Sequence, residues 1–206
     1  MSNTSNPIGI LLFNGVEELD FAGPWEVFQV GVMLESSDRA VTIAEKPGPV
    51  RCAKGLSVNP DHTFEDAPQL DVVLVPGGQG TRIEVHNPAL IAWLQKVAPA
   101  CRWVTSVCTG SLLLQAAGLT DGKRITTHWG FIETLRQNAT LMKQDGATVL
   151  DNVRYVRDGN LVTAAGVSAG IDMALWLLGQ MHNVELARQV QRRMQYDPAP
   201  PYAAEV

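Results

Sequence analysis

The chain has little cysteine, no run of basic residues and no cationic segment leading into an apolar stretch at its start, and each shortage removes a class of function. Its three cysteines, Cys52, Cys101 and Cys108, cannot all pair within one chain and show no Cys-x-x-Cys spacing, so neither a disulfide framework nor a cysteine zinc site is expected. If one strand joins Cys101 to Cys108, a rise of roughly 3.3 Å per residue separates them by about 23 Å, beyond disulfide reach. Cys52 and Cys101 read as inert packing residues. The formal charge of -5 and the lack of a basic cluster argue against nucleic acid as a partner and for small molecules. The opening Met1-Ser-Asn-Thr-Ser-Asn-Pro7 is polar and leads directly into a strand. Neither a signal peptide nor a spanning helix is expected, no membrane partner is implied, and the chain reads as cytoplasmic. His62, His86 and His182 have no companions at ligand spacing, so no metal is expected. Gly77-Gly-Gln-Gly80 lacks the Gly-x-Gly-x-x-Gly order, so no nucleotide cofactor is expected.

What is present is an alternation of strand and helix signals. Ile8-Gly-Ile-Leu-Leu-Phe13 is apolar throughout, as suits a strand covered on both faces. Asp20-Phe-Ala-Gly-Pro-Trp-Glu-Val-Phe28 opens a helix, with Pro24 in its first turn and Phe21, Trp25 and Phe28 as core residues. Val41 to Ala44 and Asp71 to Val75 read as strands, the second stopping at Pro76-Gly-Gly-Gln-Gly80. A helix follows from about Pro88 to Val97, and Arg102 to Val107 is the next strand. Val153 to Arg157 and Asn160 to Ala164 form a hairpin around Asp158-Gly159. Ala169 to Met181 and Val184 to Met194 are helices, and Pro198, Pro200 and Pro201 end the helical region. No repeat or linker divides the chain, and its 206 residues suffice for one core. The expected fold is α/β, a three-layer sandwich with a mainly parallel sheet, in a single domain spanning 1–206.

Ser106-Val-Cys-Thr-Gly110 carries the chemistry. A buried strand ends there and the amphipathic Ser111-Leu-Leu-Leu-Gln-Ala-Ala117 begins at once, placing Cys108 on a strand-to-helix elbow, with Gly110 permitting the close turn. Such an elbow predicts an activated thiolate, its pKa lowered by helix-end amides. In open α/β sheets ligands sit outside the carboxyl ends of the strands. The loop with Glu17, Glu18 and Asp20, the loop with Gly77 and Gly78, and the elbow would there surround one pocket. Asp20 also suits the N-cap of its helix, and Gly77 and Gly78 suit a plain turn. His128, in Thr126-Thr-His-Trp129 at the apparent start of a helix, fits a base or a structural histidine packed beside Trp129.

Asp20-Phe-Ala-Gly-Pro, Pro76-Gly-Gly78, Ser106-Val-Cys-Thr-Gly-Ser-Leu112 and Thr126-Thr-His-Trp129 together resemble the ThiJ/PfpI superfamily, which is class I glutamine amidotransferase-like. The acidic residue on the first loop, the Cys-Thr-Gly elbow and the terminal Tyr196-Asp-Pro-Ala-Pro-Pro-Tyr202 most resemble its isocyanide (isonitrile) hydratase branch. The resemblance implies a flavodoxin-like core, a homodimer and no cofactor. It makes Cys108 the nucleophile, Asp20 the acidic partner, Thr109 the residue that contacts that partner, and Gly78, beside Gly77, an amide donor to substrate. His128 and Trp129 fall beside the substrate. Superfamily peptidases carry histidine after the cysteine; Thr109 stands there instead, which disfavours proteolysis. The implied chemistry is addition of Cys108 to the terminal isocyanide carbon, with Asp20 protonating nitrogen to give a thioimidate and then activating water. The segment Ala165-Gly-Val-Ser-Ala-Gly170 resembles one beside the elbow in this superfamily, and the helix after it is expected to loosen during turnover. A glyoxalase or deglycase, and a ligand or redox sensor, are the competing functions.

Overall fold

Four consecutive apolar residues with no exposed surface, Val72 to Val75, can be accommodated only in the middle of a sheet covered on both faces, and they lie at its centre. A computed structural model describes residues 7–34, 38–141 and 146–197; the expected stop at Pro198, Pro200 and Pro201 lies outside them. The elements run β1 (Pro7–Leu12), α1 (Glu18–Leu34), β2 (Arg39–Ala44), β3 (Val50–Arg51), β4 (Ser57–Val58), β5 (His62–Thr63), β6 (Val72–Val75), α2 (Thr81–Glu84), α3 (Pro88–Val97) and β7 (Trp103–Val107). They continue with α4 (Gly110–Ala116), β8 (Arg124–Ile125), α5 (Ile132–Leu141), β9 (Thr148–Val149), β10 (Tyr155–Asp158), β11 (Leu161–Ala164), α6 (Ala169–Met181) and α7 (Val184–Arg193). The main sheet has the order β10-β11-β7-β6-β1-β2-β5. All its pairings are parallel except β10 with β11. Helices α1, α6 and α7 pack together on one face, while α3, α4 and α5 cover the other, completing the three layers.

Several boundaries differ from the expected ones. Helix α1 starts at Glu18, so Pro24 lies in its interior and not in its first turn. Proline has no N–H to give the carbonyl of Asp20 four residues back, and the helix continues past it. Trp25 is 37% exposed, whereas Phe21 and Phe28 are buried. The stripe of α1 that meets α6 is Gly23, Val27 and Gly31, with Gly23 against Ile171 and Gly31 against Leu178. Position 25 lies about 200° around the helix from 23 and from 27, hence outward. In the hairpin, Asp158 pairs with Leu161, so the two-residue turn is Gly159-Asn160, with Gly159 at φ +63°. Glycine takes that left-handed conformation without cost. The two-residue strands β3, β4, β5, β8 and β9 carry too few residues to show a period.

Strands β6 and β7 end side by side, with Val75 opposite Ser106, and this register sets the elbow against the Pro76 turn. A Cβ at Gly110 would overlap the carbonyl oxygen of Val75 and lie 2.8 Å from that of Pro76. Both are backbone atoms at the end of the central strands and cannot move aside cheaply. We expect Gly110→Ala to lower stability by roughly 2–3 kcal/mol, read by urea unfolding. An unchanged midpoint would show that the elbow has room to spare.

Candidate active site

Strand β7 delivers its last residue, Val107, fully buried, and the next residue turns. Cys108 adopts φ +56°, Thr109 follows, and α4 starts at Gly110. The backbone N–H of Cys108 donates to the Ala164 carbonyl at 3.0 Å, so the elbow is anchored to the end of β11. The Cys108 carbonyl accepts from the Ser111 hydroxyl at 3.1 Å and the Thr127 hydroxyl at 2.9 Å. A non-glycine residue at positive φ is held only where its surroundings over-determine it, and these contacts supply that restraint.

Asp20 comes to the same place from α1. Its carboxyl group has no exposed surface. One oxygen accepts from the Gly77 amide at 2.9 Å, the other from the Val167 amide at 3.1 Å, and it also hydrogen-bonds the Cys108 thiol. Asp20 therefore sits inside the first turn of α1 and reaches outward; it does not cap the helix. Val167 is itself at φ +45°, a rare conformation for a β-branched residue, and in that conformation its N–H reaches Asp20.

The remaining expected residues gather nearby in different ways. The Thr109 hydroxyl accepts from the Gly78 amide at 3.0 Å and lies 3.1 Å from the Thr81 hydroxyl. Its partners are Gly78, Thr81 and the Cys108 thiol, so among the described residues it does not make the implied contact with Asp20. The amides of both Gly77 and Gly78 are already bonded within the protein. A Cβ on Gly77 would lie 2.7 Å from the Thr109 hydroxyl oxygen and 2.9 Å from Cys108 Cβ, so only glycine fits there. His128 accepts from the Gly130 amide through Nδ1 at 3.2 Å, and its ring lies 5.4 Å from that of Trp129. It packs against Gly166. Trp129 is 83% exposed and forms the rim of a cleft of about 420 Å³. Thr127, His128, Ile132, Val153, Arg154 and Val167 line the cleft, so it shares Thr127 and Val167 with the surroundings of Cys108 and Asp20. Reading the sequence residue by residue gave no role to Thr81, Thr127 or Val167. The first two are ordinary threonines there, and the conformation of Val167 has no sequence signal.

Residues 7–180 match the family model described as the DJ-1/PfpI family. The chain belongs to the DJ-1/PfpI family. It is 42% identical to the isonitrile hydratase of Pseudomonas putida over 196 residues, 95% of this chain and 80% of that protein. It is 30% identical to the HTH-type transcriptional regulator CdhR of Pseudomonas aeruginosa over 92% of this chain, which spans about half (54%) of that regulator. The crystal structure of a ThiJ/PfpI family protein from Pseudomonas syringae superposes with a TM-score of 0.87 at 31% identity, covering 98% of this chain and 80% of that one. The DJ-1/PfpI sandwich is thus the flavodoxin-like core that the motifs implied.

The electrostatics of this family member depart from the expected thiolate. Burial, and after it the charge of Asp20, push the Cys108 thiol up to about 12, outweighing the Thr109 amide and hydroxyl that favour the anion. Burial also raises Asp20 to about 7, with the charge of Glu17 adding to the rise and the Gly77 and Val167 amides opposing it. The expected lowering of the Cys108 pKa fails because the short helix α4 cannot offset the loss of water and a neighbouring carboxylate. The resting pair is a thiol beside a carboxyl group that titrates near neutrality. Among the described residues, no three His, Cys, Asp or Glu side chains group to hold a metal, and no helix is long and apolar enough to cross a membrane.

Stability should carry this signature. Between the unfolded aspartate pKa of about 4 and the folded value of about 7, the native state binds the extra proton, so stability falls as pH rises through that window and levels above it. We expect Asp20→Asn to flatten that slope in urea unfolding, and to speed iodoacetamide alkylation of Cys108 severalfold at pH ~8 by removing the opposing charge. An unaltered slope and rate would contradict the coupling.

Proposed function

We propose that the protein hydrates isocyanides to N-substituted formamides, with Cys108 as nucleophile and Asp20 as general acid and base. The observation that carries this reading is the buried, hydrogen-bonded pair of Cys108 and Asp20, in a chain 42% identical to an isonitrile hydratase. An isocyanide R–N≡C is uncharged and electrophilic at its terminal carbon. It suits a site where a free charge is costly and a thiol and a carboxylate share protons.

The ionised Asp20 takes the Cys108 proton as sulfur bonds to the terminal carbon, so no standing thiolate is needed. The valence of carbon puts this proton on carbon rather than nitrogen, since a closed-shell thioimidate, R–N=CH–S–Cys108, carries its hydrogen there. Asp20 then draws a proton from water as the oxygen adds to the same carbon, and passes it to nitrogen. The adduct R–NH–CH(OH)–S–Cys108 expels sulfur, the hydroxyl proton returns to the thiol through Asp20, and R–NH–CHO leaves. One hydrogen of water ends on nitrogen, and the other replaces on sulfur the proton that was given to carbon. We place the N-substituent in the cleft rimmed by Trp129, with His128 and Thr127 on its wall, and read the protein as a homodimer of one-domain chains that needs no cofactor. Gly77 and Gly78 act by holding Asp20 and Thr109, since their amides are committed.

The likeness to CdhR supports a second reading, a ligand-sensing domain. One assay separates them. We expect the purified protein to convert para-nitrophenyl isocyanide to the formamide, with activity abolished in Cys108→Ala and reduced at least ~100-fold in Asp20→Asn. Its kcat/KM should fall as pH drops through about 7, because the proton acceptor is then lost. A folded parent that leaves the isocyanide untouched sinks the hydratase reading, and lactate formed from methylglyoxal instead would move it to the glyoxalase class.

A further inference from the structure

The hairpin of β3 and β4 lies outside the catalytic loops, yet it is fastened along the whole loop that precedes Asp20. The Gly15 amide donates to the Arg51 carbonyl at 2.7 Å, and the Ala53 amide to the Val16 carbonyl at 2.8 Å. The Arg51 amide donates to Asn14 Oδ1 at 2.9 Å, and the Lys54 amide to Glu18 Oε1 at 2.7 Å. At the hairpin tip the Lys54 ammonium hydrogen-bonds Glu17 Oε1. Glu17 is the hinge of the acid loop. Its amide donates to the Gly77 carbonyl at 2.9 Å and its carbonyl accepts from the Asp20 amide at 3.2 Å, while the Gly77 amide returns to Asp20 Oδ2.

We propose that Lys54 is a positioning residue for Asp20, holding Glu17 in place and neutralising the one carboxylate that would otherwise oppose ionisation of the acid. Among the described residues, the charged and titratable groups that face Asp20 are Glu17 from its own loop, Cys108 from the elbow and Lys54 from the hairpin. Glu18 is directed instead to the Lys54 amide and toward Cys52. Lys54 is 67% exposed and Glu17 only 18%, so the ammonium remains hydrated while the carboxylate it covers is largely withdrawn from water. Removing the ammonium leaves the charge of Glu17, which acts on Asp20, without its counter-ion. An exposed partner limits the size of the effect, but a catalytic acid poised near neutrality is sensitive to a small one. The catalytic consequence rests on the assignment of Asp20 above; the electrostatic one does not.

The test titrates the infrared carbonyl band of protonated Asp20, identified by its loss in Asp20→Asn, in the full chain without substrate. Relative to the parent midpoint, we expect Lys54→Met to move it up by about half a pH unit and Glu17→Gln to move it down by a similar amount. Lys54→Arg should retain the parent midpoint, and the Lys54→Met/Glu17→Gln pair should return to it. The Lys54→Met shift should shrink in high salt. A midpoint unmoved by Lys54→Met overturns the proposal. So does a shift that persists in the double variant, because a merely loosened loop would not be repaired by removing Glu17. Since no isocyanide is present, a protein that shows these shifts but hydrates nothing refutes the proposed activity and leaves this inference standing.

Discussion

A carboxyl group with no exposed surface, suspended between two backbone amides and a thiol, is the constraint around which the site is arranged. Burying a carboxylate is costly unless hydrogen bonds replace its water, and Gly77 and Val167 supply those bonds from the ends of two different strands. Each donor needs a backbone that few residues tolerate. Gly77 must lack a side chain to clear Thr109 and Cys108, and Val167 must adopt a left-handed conformation. The sheet makes this possible: β6, β7 and β11 are adjacent, so their trailing loops converge above Cys108 while α1 brings Asp20 across from β1.

That arrangement also explains why the elbow does not hold a free thiolate. The amide and hydroxyl of Thr109 favour the anion, but the same burial that protects Asp20 removes the water that would stabilise sulfur. Two negative charges cannot share so dry a space, so ionisation of one group suppresses that of the other. The pair is best treated as a unit that moves one proton between sulfur and oxygen. Such a unit is suited to a neutral electrophile, for which the nucleophile can be deprotonated as it attacks. The commitment of the Gly77 and Gly78 amides fits the same picture, because the first addition to an isocyanide develops charge on carbon and creates no oxyanion for them to receive.

Much of this was legible in the sequence, for physical reasons that can be named. Ile8 to Leu12 and Val72 to Val75 read as buried strands because unbroken apolar runs have few other uses, and Cys108 read as an elbow because a strand signal meets a helix signal there with Gly110 between. Asp20 was found through its motif, but its bond to Val167 spans 147 positions and no local pattern encodes it. The sign of the Cys108 shift was misread because the helix-end effect is local and visible, whereas desolvation is a property of the assembled core. The β3–β4 hairpin was missed for a third reason. Two-residue strands have no periodicity, and their stability comes from the loop they clasp.

The protonated thiol bears on which competing function the site suits least. A redox sensor relies on an accessible, low-pKa thiolate, since oxidants react with the anion. Cys108 is 8% exposed, and its anion is disfavoured by both burial and Asp20. A hydrated oxidant would have to shed its water to reach sulfur and would then meet a thiol instead of a thiolate. A small apolar electrophile loses little on entering the same space and finds a proton acceptor beside the nucleophile. The two properties that make Cys108 a poor sensor, dryness and a shared proton, both favour the addition to an isocyanide carbon that we propose.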